Sequence, residues 1–472
     1  MNELELNNKR VLVVGLGKSG LAAARFLKAR GARVTVSDAR PATLIAELSE
    51  LLDEGFMVEA GSHGLLTFRR QDLIVVSPGV PQSTPELKTV RAMGAHIIGE
   101  LELGAQFLQG DVVAITGSNG KTTTTTLVGK IFTDAGVPTL VGGNIGRPVT
   151  EMVAESIELS RQLQQEADPS ASPQDDKSSV VNVIEVSSFQ LETVEEFHPR
   201  IAAVLNLTPD HLDRHGSFEV YAAAKARIFE NQVAGDALVL NADDPAVQAF
   251  AAKAKGEVFW FSATKAVRRG TFVRDGVVVW VEKEGGVTEP ILPVSEIPLQ
   301  GAHNVENVLA AVCMARLATV PAESIRATVK GFAAVEHRLE FVRDVAGVGY
   351  YNDSKATNVD ATMKAVAAFD GGIHLILGGK DKDSDYTTLA PLLRERVKTV
   401  ITVGSAAQKI EHQLTGVVKI ERAETLQRAV ALASEISVAG DTVLLAPACA
   451  SFDQFENYEH RGRVFKELVA GL

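Results

Sequence analysis

The sequence predicts an α/β protein of about three domains built on mostly parallel sheets, and three observations carry that expectation. At 472 residues the chain exceeds what one hydrophobic core supports, because domains usually run to roughly 100–150 residues. Short β-branched runs alternate with helical patterns along its whole length. Glycine-rich turns follow a strand and precede a helix in two places, at residues 15–20 and 117–120. Boundaries are expected near residues 100 and 334, giving segments 1–99, 100–334 and 335–472.

In the first segment Val11–Val14, Val34–Val36 and Ile74–Val76 read as buried strands, with a helix over Leu21–Arg30. The second segment opens on Val112–Ile115 and continues through Val181–Glu185, Ala202–Asn206 and Ala237–Asn241, with a helix over Thr123–Phe132. The third holds Tyr350–Asn352, His374–Leu377, Val400–Val403 and Val443–Leu445. Glu166–Ser179 breaks the pattern. Its Asp, Pro, Ser, Gln and Lys residues bury too little apolar surface to order themselves, so it reads as a flexible loop inserted before Val181.

Hydrophobic residues make up 46% of the chain and charged residues 22%, ordinary for a globular protein. Cys313 and Cys449 stand far apart and outside any metal-ligand spacing, which points to a reducing compartment without a disulfide framework or a zinc site. The polar stretch Met1–Arg10 is not a signal peptide, and no apolar run approaches the ~20 residues that span a bilayer. A net charge of −12 argues against nucleic acid or an anionic membrane as partner. The expectation is a cytoplasmic enzyme with no membrane insertion.

The run after Ile115 is Thr116-Gly117-Ser118-Asn119-Gly120-Lys121-Thr122-Thr123. Its glycines let the backbone turn so that N–H groups face a phosphate, and the helix that follows adds its own unpaired N–H groups and positive dipole end. Lys121 supplies a charge for the β- and γ-phosphates of ATP, and the Thr122 hydroxyl suits Mg²⁺. A strict Walker A pattern has glycine where this chain has Ile115, so this is a shorter variant in the required strand–loop–helix order. Glu185, where a neighbouring strand should end, reads as a Mg²⁺ ligand or as a helix-capping acid. His211, in Thr208-Pro209-Asp210-His211-Leu212-Asp213, reads equally as a metal ligand or a loop histidine.

Gly15-Leu16-Gly17-Lys18-Ser19-Gly20 matches the dinucleotide fingerprint, and Asp38 follows the second strand near where a ribose-binding acid would sit. Alone this suggests an NAD(P)-dependent oxidoreductase. The motif reports a helix N-terminus open to a pyrophosphate, which a UDP-linked substrate also offers.

Further segments, taken as a set, resemble the Mur ligases of peptidoglycan assembly. They include Glu185-Val186-Ser187-Ser188-Phe189-Gln190-Leu191-Glu192, Asn206–His215, Tyr221–Lys225, Gly301-Ala302-His303-Asn304-Val305-Glu306-Asn307 and Glu336-His337-Arg338-Leu339-Glu340. Asn352-Asp353-Ser354-Lys355-Ala356-Thr357-Asn358, Leu377–Lys382 and Ala446-Pro447-Ala448-Cys449-Ala450-Ser451-Phe452-Asp453-Gln454-Phe455 complete it. The likeness runs from about residue 10 to the C-terminus apart from the polar insertion, and the third-domain runs are most similar to the branch that adds D-glutamate.

The resemblance implies a Rossmann-like N-terminal domain for a UDP-substrate, a central P-loop ATPase domain with a parallel sheet, and a Rossmann-like C-terminal domain for the amino acid. It implies ATP contacts from Gly117 to Thr123 and from Asn304, Asn307, Arg338 and Asp353. A first Mg²⁺ would sit on Thr122 and Glu185, and a second on His211 and Lys225, a lysine carbamylated in the family. Lys121 and Lys355 would join His211 and Lys225 in the catalytic set. Lys18, Ser19, Asp38, Gly79, Asn144 and Ser187 would meet the UDP-substrate. Thr357, Lys382, Ser451, Phe452 and Tyr458 would form the D-glutamate pocket. The implied reaction phosphorylates the terminal carboxylate of UDP-N-acetylmuramoyl-L-alanine and joins it to the amine of D-glutamate, in a monomer. Another amino-acid-adding Mur ligase or a folylpolyglutamate synthase is the alternative, with the oxidoreductase behind them.

Overall fold

The structure, a computed structural model, describes residues 4–45, 47–166, 179–299, 301–333 and 336–472. Three sheets account for the strands. The first is five-stranded and wholly parallel, with Met57–Ala60, Arg33–Asp38, Arg10–Val14, Leu73–Val76 and Ile97–Gly99 side by side in that order. Arg10–Val14 and Leu73–Val76 at its centre are buried on both faces past Arg10, which is why they read as continuous apolar runs. Val11 and Val13 enter one cluster while Leu12 and Val14 enter another, the two-residue period of a strand.

The central sheet has nine strands, and the phosphate loop leaves one of them, Asp111–Thr116, which lies between Val181–Glu185 and Ile201–Val204. Val113 and Ile115 face one core and Ala114 the other. Seven of the nine run parallel, and the antiparallel strands Val277–Val281 and Thr288–Pro293 close one edge. Asp275 and Gly276 make the first of those turns with φ of 52° and 74°, the two positive values that a two-residue hairpin turn requires. The third sheet has six strands with Glu340–Val345 antiparallel at its edge, the rest parallel. The expected α/β class with three sheet-containing domains is what the chain forms.

Two details differ from the sequence reading. The helices begin earlier, at Lys18 rather than Leu21 and at Lys121 rather than Thr123, so each glycine turn abuts a helix N-terminus directly. The strand expected over Ala202–Asn206 ends at Val204. Asn206 leaves the ladder because its side chain accepts from Asn119 N at 2.8 Å and donates to Asn119 O at 3.0 Å, clamping the phosphate loop. The proposed boundary at residues 334–335, and the polar insertion between Glu166 and Ser179, lie outside the described residues.

The three domains are joined unequally. Val153 of the central segment belongs to the same apolar cluster as Val11 and Val13, and Leu101 packs with Ala114. The connecting helix Glu100–Ala105 is pinned by its acids. Glu100 accepts from Thr150 N (2.7 Å) and Thr150 Oγ1 (2.8 Å), and Glu102 accepts from the amides of Glu195, Glu196 and Phe197 at 2.8–3.1 Å. Among the described residues, no apolar cluster contains residues of both the central and third domains. Polar contacts hold that junction.

Candidate active site

Gly120 caps the helix Lys121–Asp134 in the left-handed region, φ 83°. A Cβ there would stand 2.1 Å from Asn307 Oδ1, so close packing and backbone shape both demand glycine. Lys121 folds back over its own loop, donating to Gly117 O at 2.8 Å and Ser118 O at 2.9 Å. Burial lowers its pKa from the ordinary lysine value. Thr122 Oγ1 donates to Glu185 Oε2 at 2.7 Å, and Asn144 Nδ2 to Glu185 Oε1 at 2.8 Å. The carboxylate expected at the end of its strand is therefore beside the loop, 1% exposed and fully engaged.

On the other side, Lys225 donates to Gly117 O at 2.8 Å and to Thr116 Oγ1 at 3.3 Å. Burial first, and then the charge of Lys121, push its pKa well below the ordinary lysine value. His211 holds a left-handed φ of 53° at the start of the short helix Leu212–His215, its ring 4.8 Å from that of Phe189. Burial lowers its pKa, keeping the imidazole neutral.

The third domain closes over this loop. Lys355 Nζ meets Thr122 Oγ1 and donates to Tyr458 OH at 3.1 Å; burial brings its pKa down to about 8. Asn358 Nδ2 and Lys382 Nζ reach Asp210 at 3.0 and 3.3 Å. Asp353 is wholly buried, neither carboxylate oxygen meets a donor at hydrogen-bonding geometry, and burial pushes its pKa up to about 6. A cavity of about 660 Å³ results, lined by Ser118–Thr122, Asn144, Glu185, His211, Arg338, Lys355, Thr357 and Tyr458 among others.

A second cavity, about 450 Å³, opens at the first glycine turn and is lined by Gly15–Ser19, Asp38, Arg40, Gly79, Val80 and Gln190. Asp38 Oδ2 accepts from Leu16 N at 2.7 Å, and its other oxygen from Arg40 N at 2.8 Å. Burial works to raise this carboxyl, but the bonds from Arg40 and Leu16 outweigh it and hold the pKa below the ordinary value. Lys18, Asn144 and Gly146 line both cavities, and Lys18 Nζ donates to Gly146 O.

Some expected site residues stand outside these walls. Asn304 and Asn307 are buried behind Gly120, where Asn307 Nδ2 donates to Asn304 Oδ1 at 2.9 Å. Ser187 caps the helix Ser188–Leu191. Ser451 is buried in the turn that follows Ala450, and Phe452 is 67% exposed. Sequence reading missed Arg40, Asn206, Asp210 and Arg461. Arg461, buried, donates to Ser354 O (2.8 Å) and Cys449 O (3.2 Å), tying the two third-domain runs together. Arg40 carried a signal in lying two residues from Asp38, and Asp210 in preceding His211; Arg461 carried none. Glu336, His337 and Glu340 bring ligand atoms within 4.8 Å of one another, but Lys466 already pairs with both acids at 2.9 and 2.6 Å.

Three family models match the chain in series: a Mur ligase MurD-like N-terminal domain over residues 9–99, a Mur ligase middle domain over 115–315, and a Mur ligase glutamate ligase domain over 337–449. The UDP-N-acetylmuramoylalanine--D-glutamate ligase of Acidobacterium capsulatum is 61% identical, over 99% of this chain and 97% of its own. The chain belongs to the Mur ligase family. The ligase of the same name from Koribacter versatilis is 57% identical over 99% and 98% of the two chains. Two solved structures share the Mur ligase fold. These are a pseudomurein peptide ligase type C from Methanothermus fervidus and UDP-N-acetylmuramate-alanine ligase MurC from Thermotoga maritima. Each is 19% identical with a TM-score of 0.58, covering 98% of this chain and 100% of its own. As a Mur ligase the chain is an ATP-dependent enzyme, and the oxidoreductase reading of Gly15–Gly20 gains no support from these relatives. Among the described residues, no helix is long and apolar enough to cross a membrane.

Proposed function

We propose that this Mur ligase joins D-glutamate to UDP-N-acetylmuramoyl-L-alanine with ATP, as a cytoplasmic monomer, in making peptidoglycan precursor. The observation that carries it is the 61% identity, over nearly the full length, to an enzyme named for this reaction. In this reading residues 1–99 take the UDP-substrate, 100–334 take ATP and 335–472 take the amino acid.

The residues present fit the groups the reaction needs. Lys121 and Lys355 lie at the loop, with Arg338 on the same cavity wall; a triphosphate answers that charge. Asp353 has buried oxygens for which a nucleotide donor would be a partner. Thr122 and Glu185 offer the hard oxygen donors that Mg²⁺ prefers. His211 and Lys225 would hold a second ion only with Lys225 carbamylated, because a bare ammonium repels a divalent cation. When bound, these ions neutralise phosphate charge.

A carboxylate resists amine attack because oxide is a poor leaving group. The terminal carboxylate of the UDP-substrate therefore takes the γ-phosphoryl group to give an acyl phosphate. Lys121 and Lys355 offset charge on the transferred group, a task of positioning and electrostatics. The D-glutamate amine attacks the acyl carbon, and the tetrahedral intermediate expels phosphate to leave the amide. Thr357, Lys382 and Ser451, with Phe452 and Tyr458, hold the incoming amino acid, while Asn304 and Asn307 lie on the nucleotide side. Lys18, Ser19, Asp38, Gly79, Asn144 and Ser187 hold the UDP end, and Lys18 and Asn144, which line both cavities, stand where its carboxylate would approach the phosphate loop. Acyl phosphates hydrolyse, so the site closes before transfer; the contacts of Lys355 and Lys382 across the junction are suited to that.

Phosphate release measured with UDP-N-acetylmuramoyl-L-alanine and ATP, while the amino acid is varied, tests the reading. Release should depend on D-glutamate. Equal stimulation by another amino acid would assign the chain to a different ligase.

A further inference from the structure

Arg214 lies between the two cavities and touches both walls. Its guanidinium donates to Val80 O at 3.1 Å and Gly79 O at 3.4 Å, two carbonyls of the N-terminal domain that line the cavity at the first glycine turn. The same group pairs with Glu192 at 2.7 Å, with only 13% and 16% of the two side chains exposed. It also lies over the Phe189 ring at 4.6 Å, and the edge of that ring meets His211. Arg214 N donates to His211 O at 3.0 Å, so the backbone repeats the link.

The far end of this chain of contacts is just as close. A Cβ on Gly15 would stand 2.7 Å from Val80 Cγ2, and Ser77 Oγ donates to Gly15 O at 2.7 Å. Gly15, Val80, Arg214, Phe189 and His211 thus form one packed path from the first glycine turn to the phosphate-loop cavity. Groups in direct contact along such a path give the two sites a physical route for coupling.

We propose that Arg214 is a positioning residue that couples the two substrate sites. A UDP-linked ligand holding Gly79 and Val80 against the guanidinium fixes Phe189 and His211 in the arrangement that receives the nucleotide. Coupling of this kind is reciprocal, so the nucleotide tightens the UDP-substrate by the same factor. The inference rests on the ligase reading for the identity of both ligands.

The test measures the dissociation constant of a non-hydrolysable ATP analogue with Mg²⁺, with and without saturating UDP-N-acetylmuramoyl-L-alanine. The wild-type enzyme is compared with R214A and R214K. Lysine keeps the charge opposite Glu192 but cannot span both carbonyls. The wild type should show about tenfold tightening, falling below about twofold in both variants, while each ligand alone still binds. A merely structural role would weaken each ligand alone and leave the ratio unchanged. If R214A fails to fold, R214K carries the comparison. Retention of the wild-type ratio in the folded variants overturns the proposal, as does a wild type that binds both ligands without tightening. Either outcome leaves D-glutamate-dependent phosphate release intact; loss of that release in the wild type would overturn the ligase reading as well.

Discussion

At the scale of single residues, the site is a set of lysines drawn onto one loop. Lys121 accepts burial to sit against Gly117 O and Ser118 O, and a buried ammonium without an anionic ligand gains little stability from being there. Lys121→Ala should therefore leave the melting temperature within a few degrees of wild type. It should lower D-glutamate-dependent phosphate release by about 10²–10³-fold. Activity near wild type would remove Lys121 from the mechanism. Lys121, Glu185 and Gly120 were legible because strand, loop and helix order is a local property of sequence. Arg461 was not, since it ties together two runs that no spacing relates, while Arg40 and Asp210 carried only the weak signal of lying near Asp38 and His211. Phe452 shows the converse: a motif residue in the right run whose ring lies mostly in solvent.

At the scale of elements, parallel strands announced themselves because burial on both faces leaves an uninterrupted apolar run. The edge hairpin was legible in principle through Asp275-Gly276, but strand direction is fixed by that turn and not by the apolar residues around it. The connecting helix Glu100–Ala105 makes a prediction of its own. Burial pushes the Glu100 pKa up to about 7 from 4.5, so the folded chain retains a proton that the unfolded chain has lost. Stability from this group is complete below about pH 4.5 and declines as pH rises toward 7. Glu100→Gln is neutral throughout. It should be more stable than wild type by about 3 kcal/mol at pH 8 and level with it near pH 4.5, read by thermal unfolding across pH. A pH-independent difference would show that Glu100 is ionised in the fold.

At the scale of the whole molecule, the N-terminal and central domains share a core, while the third is attached by Asp210, Lys355, Asn358 and Lys382. Lys382 is thus occupied by Asp210 in the same place where our reading puts a D-glutamate carboxylate. Lys382→Ala should raise the KM for D-glutamate about tenfold or more and leave the KM for ATP within about twofold. Equal rises in both would mark Lys382 as part of the domain junction alone. Sequence reading reached three domains but not their unequal attachment, because side chains far apart in the chain decide which surfaces are apolar.

A junction made of charges and amides, with no shared apolar cluster among the described residues, has its own thermodynamic signature. Opening it wets little hydrocarbon, so the transition should carry almost no heat-capacity change and its enthalpy should stay constant with temperature. Salt has little hold on it, since the Asp210–Lys382 pair, with only 9% and 13% of its side chains exposed, is poorly screened. Small-angle scattering at constant temperature should show the same dimensions at low and high salt; expansion with salt would place the pair in solvent. The balance of open and closed forms in a cell would then be set by the ligands present and hardly by its salt.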